Sequence, residues 1–221
     1  MTVEKLFDGV FRVNGRLATK NLVEGKGVYG ERRVVEKGVE YRLWEPSRSK
    51  LGAAVVKGLK VMPVAPGVKV LYLGASTGTT VSHVSDVLGR KGVVFAVEFS
   101  PVSMKNLISL CQVRENIFPL LADARMPQEY EADVDGKVDV VFEDVADSQQ
   151  AEILVRNAEM FLKKGGFALV AVKAFCIDSS QEPSEVFARV RRELSQSFEL
   201  IQRIDLNPFE KGHEFLVLKY K

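Results

Sequence analysis

Cysteine is nearly absent: Cys111 and Cys176 are the only two, and they form no C-x-x-C pair. That argues against a disulfide framework or a thiolate zinc site, and two buried thiols in a reducing compartment are expected. No apolar stretch approaches the roughly 18–20 residues of a membrane span, and the first residues lack the apolar core of a signal peptide. The expected location is the cytoplasm. Charge of one sign is not in excess either, with 31 Lys and Arg against 29 Asp and Glu. Such a balance excludes capture of a polyanion by bulk charge alone, so any nucleic-acid affinity draws partly on partners. Residues 1–50 hold 11 basic against 7 acidic residues, leaving 20 against 22 in the remainder. The basic front end is a weak sign of polyanion contact, and solvated surface charge explains it as well. There is no internal repeat or low-complexity tract.

What is present is a chain of 221 residues with 46% apolar content, enough for one substantial α/β core. It is organised around Val68 to Glu98. Val70 to Leu73 form a short apolar run ending at Gly74, which reads as a buried strand. Gly74 and Gly78 frame a tight turn, and Val81, Val84 and Leu88 then recur at helical spacing up to Gly89. A second run from Val93 to Val97 closes on Glu98. Strand, glycine turn, helix, strand and acid are the layout of a nucleoside-cofactor site: glycines admit the ligand to the backbone, and the acid grips ribose hydroxyls. The turn is G-x-x-x-G and no Gly-Lys-Ser/Thr follows it, so pyrophosphate and triphosphate cradles, and with them an NAD dehydrogenase, fit poorly. S-adenosylmethionine, which carries no phosphate, suits the turn better.

Before this unit, residues 1–47 are short Val/Tyr-rich runs punctuated by glycine and read as a small antiparallel domain, with Asn14-Gly15 as a hairpin turn. Residues 48–221 form the second, α/β domain. Ser49 is expected to cap a helix to about Lys60. After Glu98, Ser100-Pro101 starts a helix to about Arg114. A third strand ends at Asp123 and a fourth at Glu143-Asp144. Ser148 is expected to cap the next helix and Gly165-Gly166 to stop it. A fifth strand ends at Lys173, Pro183 opens a helix, and two strands at about 198–206 and 214–220 lie antiparallel to each other. The alternation implies a mostly parallel sheet covered on both faces.

Ligands of open α/β sheets sit beyond the carboxyl ends of the strands. Those ends carry Gly74 to Thr80, Glu98, Asp123, Asp144 and Lys173. Any single acid there reads as an ordinary cap, but acids after three strands with a lysine after a fourth read as a site. Asp123 and the Ala124 N–H can read an adenine edge. Phe99 can lie against adenine or pack in the core. Lys173 must reach solvent or pair with a carboxylate, and Asp144 is the natural partner. The pair is a structural ion pair, or else a lysine held against an alcohol nucleophile. Lys50 is the candidate for a second cation, and a solvated helix-start lysine is its alternative. His83 is expected to pack or cap, and His213, alone in a loop, is uninformative by itself.

The segments YGERRV, RSKLGAA, LYLGASTGTTVSHVSD, VEFSP, LADAR, VFEDVA, VKA and CIDS resemble the fibrillarin family, the box C/D RNA-guided 2′-O-methyltransferases, over nearly the whole chain. No Gly/Arg-rich tail precedes them, as in the short archaeal-type form. The resemblance implies a Rossmann-like class I methyltransferase fold: a seven-stranded, mostly parallel sheet with the last strand antiparallel, plus the small N-terminal β domain. It implies S-adenosylmethionine contacts at Thr79, Thr80, Glu98, Phe99, Asp123, Ala124, Asp144, Val145, Ala146 and Asp147. It also implies a Lys-Asp-Lys-His catalytic group, carried by Asp144, Lys173 and His213, with Lys50 as first lysine and Arg32, Arg33 or Lys37 as alternatives. No metal is implied. The implied partners are a Nop-type scaffold protein, a kink-turn-binding ribosomal-type protein, a box C/D guide RNA and target ribosomal or transfer RNA. Where the family usually continues Gln-Pro-x-Gln, this chain has Asp147-Ser148-Gln149-Gln150. Methylation of small alcohols or catechols, and a non-catalytic ribonucleoprotein subunit, are the competing functions. The former commonly needs a carboxylate metal cluster, which is not evident.

Overall fold

The computed structural model describes residues 2–221. Five short strands open it: β1 (Val3–Phe7), β2 (Val10–Val13), β3 (Arg16–Lys20), β4 (Arg33–Glu36) and β5 (Val39–Leu43), antiparallel in the order β1-β2-β3-β5-β4. Asn14 and Gly15 join β2 to β3 with φ of 47° and 79°, the left-handed pair that a twisted two-residue hairpin requires.

The larger sheet holds β6 (Lys69–Leu73), β7 (Val93–Glu98), β8 (Ile117–Leu121), β9 (Val138–Glu143), β10 (Leu162–Lys173), β11 (Phe198–Asp205) and β12 (His213–Tyr220), in the order β11-β12-β10-β9-β6-β7-β8. β12 runs antiparallel to both its neighbours, and the paired neighbours from β8 through to β10 are parallel. Alternate residues of each central strand enter two separate cores. Val70 and Tyr72 face α1 (Lys50–Val56), α2 (Thr79–Leu88) and α3 (Pro101–Cys111). Leu71 and Leu73 face α4 (Gln150–Phe161) and α6 (Pro183–Leu194). This two-sided burial is why these strands read as unbroken apolar runs. A four-residue helix, α5 (Ala174–Ile177), follows β10. No helix among the described residues is long and apolar enough to cross a membrane.

Several local expectations are corrected. The helix capped by Ser49, whose Oγ accepts from Gly52 N at 3.2 Å, ends at Val56, before Gly58 turns left-handed at φ +96°. Ser148 caps nothing: α4 starts at Gln150, and the turn before it is held by Asp147 Oδ1, which accepts from Gln149 N. Nor does Gly165-Gly166 stop α4, because Leu162 leaves the helix to pair beside Val138 and buries its side chain. The thiols are not both buried: Cys176 is exposed and Cys111 is half-buried.

The N-terminal sheet is joined to α2 and to the segment after α3 by a buried polar cluster. Arg42 of β5 donates to Asp86 Oδ2 at 2.8 Å and to Ser82 Oγ at 2.9 Å, and it pairs with Glu31. Asp86 also accepts from Arg114 (2.6 Å), Thr19 Oγ1 (2.7 Å) and the Leu22 N–H (2.9 Å). Thr19 has one hydroxyl proton and gives it to Asp86, so the Nδ1 of His83, 2.8 Å away, carries the ring proton. His83 Nε2 then accepts from the Tyr29 hydroxyl, and the ring stacks on Trp44 at 4.7 Å. Burial, with Arg42 and Arg114 nearby, holds His83 well below its ordinary pKa, hence neutral.

Removing one member of such a cluster strands the opposite charge. Arg42→Met is expected to cost about 3–5 kcal/mol in denaturant unfolding. Adding Glu31→Gln is expected to recover part of that loss, and a near-neutral Arg42→Met would show that the cluster does not hold the two layers together.

Candidate active site

The sheet order reverses direction between β9 and β7, on either side of β6, and the cavity lies there, beyond the carboxyl ends. Gly74 leaves β6 at φ +80°, and a Cβ on it would stand 2.9 Å from the Asp144 main-chain oxygen. Only glycine lets β6 and the β9 exit approach this closely. Gly78 starts α2 at φ +91°, pressed against Leu110 of α3.

The cavity, about 370 Å³, is lined by Gly74, Glu98, Phe99, Asp123, Ala124 and Val145 to Asp147, together with Asp144 and Lys173. Glu98 is buried at its floor. One carboxylate oxygen accepts from Ser76 N at 2.7 Å and the other from Ser100 N at 2.8 Å, so both loops are tied to it and a lone pair remains on each oxygen. Phe99 is 74% exposed, which excludes the core-packing alternative and leaves its ring on the rim. The Ala124 carbonyl accepts from Asn157 Nδ2 at 2.8 Å, fixing the loop after β8. Asp123 is held well into its ionised range, chiefly by the side chain of Arg125.

At the mouth, Lys173 Nζ donates to the main-chain oxygen of Asp144 at 2.6 Å and stands 2.9 Å from its Oδ1. Lys50 Nζ reaches the same Oδ1 at 3.3 Å and Glu210 at 4.0 Å. Lys50, at the first turn of α1, is therefore not a freely solvated lysine. The alternatives fall elsewhere: Arg32, just before β4, accepts at its main-chain oxygen from Leu43 N at 2.8 Å, Arg33 lies in the N-terminal sheet, paired with Glu40 at 3.2 Å, and Lys37 occupies the β4–β5 turn. His213 is the direct cross-strand partner of Lys173, which sets the two side chains on one face of the sheet, and its Nδ1 lies 2.9 Å from the Lys211 oxygen.

Gly78, Thr79 and Thr80 do not line the cavity. They form the first turn of α2 on the Lys50 side, where Thr80 Oγ1 donates to Ser49 Oγ at 3.1 Å. Two residues beside the site were not foreseen. Gln150 is buried and accepts from Lys173 N (2.9 Å) while donating to the oxygens of Val145 (3.0 Å) and Ala171 (3.1 Å), clamping the β9 exit to the end of β10. Its match to the family's second Gln was the available signal. Glu143, immediately before Asp144, is fully buried with neither carboxylate oxygen partnered. Burial first, then the charges of Asp144 and Asp147, push its pKa well up against the pull of Lys173.

The cavity fits a cationic, phosphate-free nucleoside: its charged lining is chiefly Glu98, Asp123, Asp144 and Asp147, and it offers no glycine–lysine phosphate cradle. Sheet order, the antiparallel last strand and this acid-lined cavity define a Rossmann-like class I methyltransferase fold. Comparison with known proteins narrows the class. A model of the Fibrillarin family matches residues 1–221. The fibrillarin-like rRNA/tRNA 2′-O-methyltransferase of Pyrococcus horikoshii is 52% identical over 218 residues, covering 96% of each chain. Aeropyrum pernix fibrillarin, solved with natively bound S-adenosyl-L-methionine, superposes with a TM-score of 0.90 at 44% identity, over 99% of this chain and 98% of that one. A fibrillarin/Nop5p complex contains a chain with a TM-score of 0.89 at 40% identity, over 99% and 100%. The chain belongs to the fibrillarin family.

Glu143 gives a test by pH. A carboxyl whose folded pKa is raised contributes stability below its ordinary value of 4.5, and that contribution is lost as pH rises toward the folded value. Glu143→Gln lacks this loss. It is expected to gain on the wild type by up to ~1.4 kcal/mol per pH unit above that value, read from unfolding free energies. A difference independent of pH would show that Glu143 is ionised in the fold.

Proposed function

We propose that this chain is the catalytic subunit of a box C/D ribonucleoprotein, methylating ribose 2′-hydroxyls of ribosomal or transfer RNA with S-adenosylmethionine. The observation that carries the reading is Asp144 between two lysines at the mouth of an acid-lined cavity of about 370 Å³. Glu98 would take the ribose hydroxyls, Asp123 and the Ala124 N–H the adenine, Phe99 the adenine face, and Gly74 with the Asp144 to Asp147 segment the methionine portion. Gly78, Thr79 and Thr80 would contribute through the first turn of α2. When bound, S-adenosylmethionine supplies an electrophilic methyl group on a sulfonium and leaves as the neutral thioether.

The chain's own residues do the rest. Asp144 fixes the Lys173 ammonium at the cavity mouth, and through Gln150 the main chain of Lys173 is fixed as well. Lys173 orients the 2′-oxygen and takes part in moving its proton to solvent as the new O–C bond forms. Lys50 shares Asp144, so the carboxylate divides its attraction between two cations and the site keeps positive charge for a phosphate-bearing substrate. His213, beside Lys173, positions the ribose or the adjoining phosphate. Much of the acceleration comes from alignment, because an in-line displacement depends on holding its reacting atoms within about 3–3.5 Å.

Near-neutral net charge and the absence of a base-reading side-chain set leave target choice to a guide RNA. The family relation to a Nop5p-bound chain supports a Nop-type scaffold as direct partner. A kink-turn-binding protein and the guide and target RNAs complete the proposed particle, working in the cytoplasm. Reconstituted with scaffold proteins and a synthetic guide–target duplex, the chain is expected to methylate one ribose, and the site should move when the guide is changed. Cofactor binding without methyl incorporation would favour the non-catalytic subunit. Lys173→Ala is expected to abolish incorporation while cofactor affinity stays near that of the wild type. Loss of both together would refute this division of labour.

A further inference from the structure

Arg125 lies outside the residues assigned to chemistry or to the cofactor, yet its side chain spans the cavity rim. Its backbone N–H and Nε donate to Asp123 Oδ1 at 2.9 and 3.1 Å, and Nε and Nη2 donate to Oδ2 at 3.0 and 2.6 Å. Its remaining arm, Nη1, stands 3.9 Å from Asp147 Oδ2 on the loop after β9. The main chain of Arg125 is in turn tied to α4, where Arg156 Nη1 donates to its carbonyl at 3.4 Å and Arg156 Nη2 pairs with Glu152 at 3.1 Å. One guanidinium thus links the two loops that wall this end of the cavity.

The geometry limits what Asp123 can still accept. An ionised carboxylate offers about four lone-pair positions. Arg125 makes four contacts to it with three protons, two on each oxygen, because the single Nε proton is shared; once that proton settles on one oxygen, a position opens on the other, and the side chain keeps 31% of its surface open. A bidentate guanidinium also fixes the plane of the carboxylate, which a lysine cannot do. The second anchor is the carboxylate of Asp147, on the loop after β9. Beside an acid-lined cavity an added carboxylate needs a counter-charge, and Arg125 supplies it.

We infer that Arg125 is a positioning residue for nucleobase recognition: it orients Asp123 so that the acceptor position left when the shared Nε proton settles on one oxygen meets the exocyclic amine of adenine, and it sets a positive charge beside Asp147 on the same rim. The inference rests on the cofactor reading above. A base with a 6-oxo group in place of the amine would set oxygen against the fixed carboxylate and an N1–H against the Ala124 N–H. A site built to accept an N–H rejects such a partner strongly, provided its own acceptor cannot turn away. Arg125 prevents that turn.

The test measures calorimetric affinities of the full chain for S-adenosylhomocysteine and S-inosylhomocysteine. In the wild type the adenosyl compound is expected to bind more tightly by two orders of magnitude or more, on the order expected of a site with a fixed acceptor. Arg125→Met, checked for an unchanged melting temperature, is expected to weaken the adenosyl compound about tenfold and the inosyl compound much less, so that selectivity collapses. Arg125→Lys should restore part of the affinity and little of the selectivity, lacking the fork. Equal weakening of both compounds by Arg125→Met would mean that Arg125 only braces the loops, and unchanged affinities would mean that it does nothing. Either result overturns the inference. A wild-type chain that binds neither compound would fail earlier, on the cofactor reading itself.

Discussion

Everything at the active edge depends on one carboxylate being held where β9 ends. Asp144 has no freedom to leave: its main-chain N–H donates to Leu73 O at 2.9 Å, its carbonyl accepts from Lys173 Nζ, and its Oδ1 faces two ammonium groups. The close approach of β6 that permits this arrangement is a backbone property of Gly74. A single residue thus connects the donor cavity, through the β9 exit loop, with the lysines at its mouth.

The N-terminal sheet contributes to this edge indirectly. Its buried cluster of Glu31, Arg42, Asp86 and Arg114 locks β5 onto α2 and the segment after α3, and the chain then passes through Trp44 to Ser49 and Lys50. Ser49 is held to the first turn of α2 through Thr80, and the end of α1 is tied to the β11–β12 region through Lys57 Nζ and the Asn207 oxygen at 2.7 Å. Lys50 therefore reaches Asp144 from a fixed base. The cluster's charges are costly to bury and gain their value from being fully partnered, which favours one docking of the two layers over others.

The sequence was most informative where one physical rule acted alone. Two-sided burial wrote the apolar runs of β6, β7 and β9, and glycine conformation wrote the turn after β6, so the fold, the cavity and the Asp144–Lys173 pairing could all be anticipated. Lys50 was harder, since a lysine at a helix start looks the same whether solvated or paired. Its neighbour Asp144 lies 94 positions away, and no local pattern encodes that contact. Arg42, Asp86 and Arg114 lie far apart in the chain with no local pattern joining them, and only the tertiary arrangement reveals them as one buried group. Helix ends failed for a different reason: Ser148 and Gly165 have the right chemistry for caps, but strand pairing of Leu162 and the turn held by Asp147 override local preference.

The most direct measurement of the central claim is a structure of this chain with S-adenosylmethionine bound. The account predicts that the donor methyl points out of the cavity toward the Asp144–Lys173 pair, so that an oxygen placed in line, about 3 Å beyond it, falls within hydrogen-bond reach of Lys173 Nζ. A methyl directed away from that pair, or separated from it by the wall of the cavity, would contradict the account whatever the family membership of the chain.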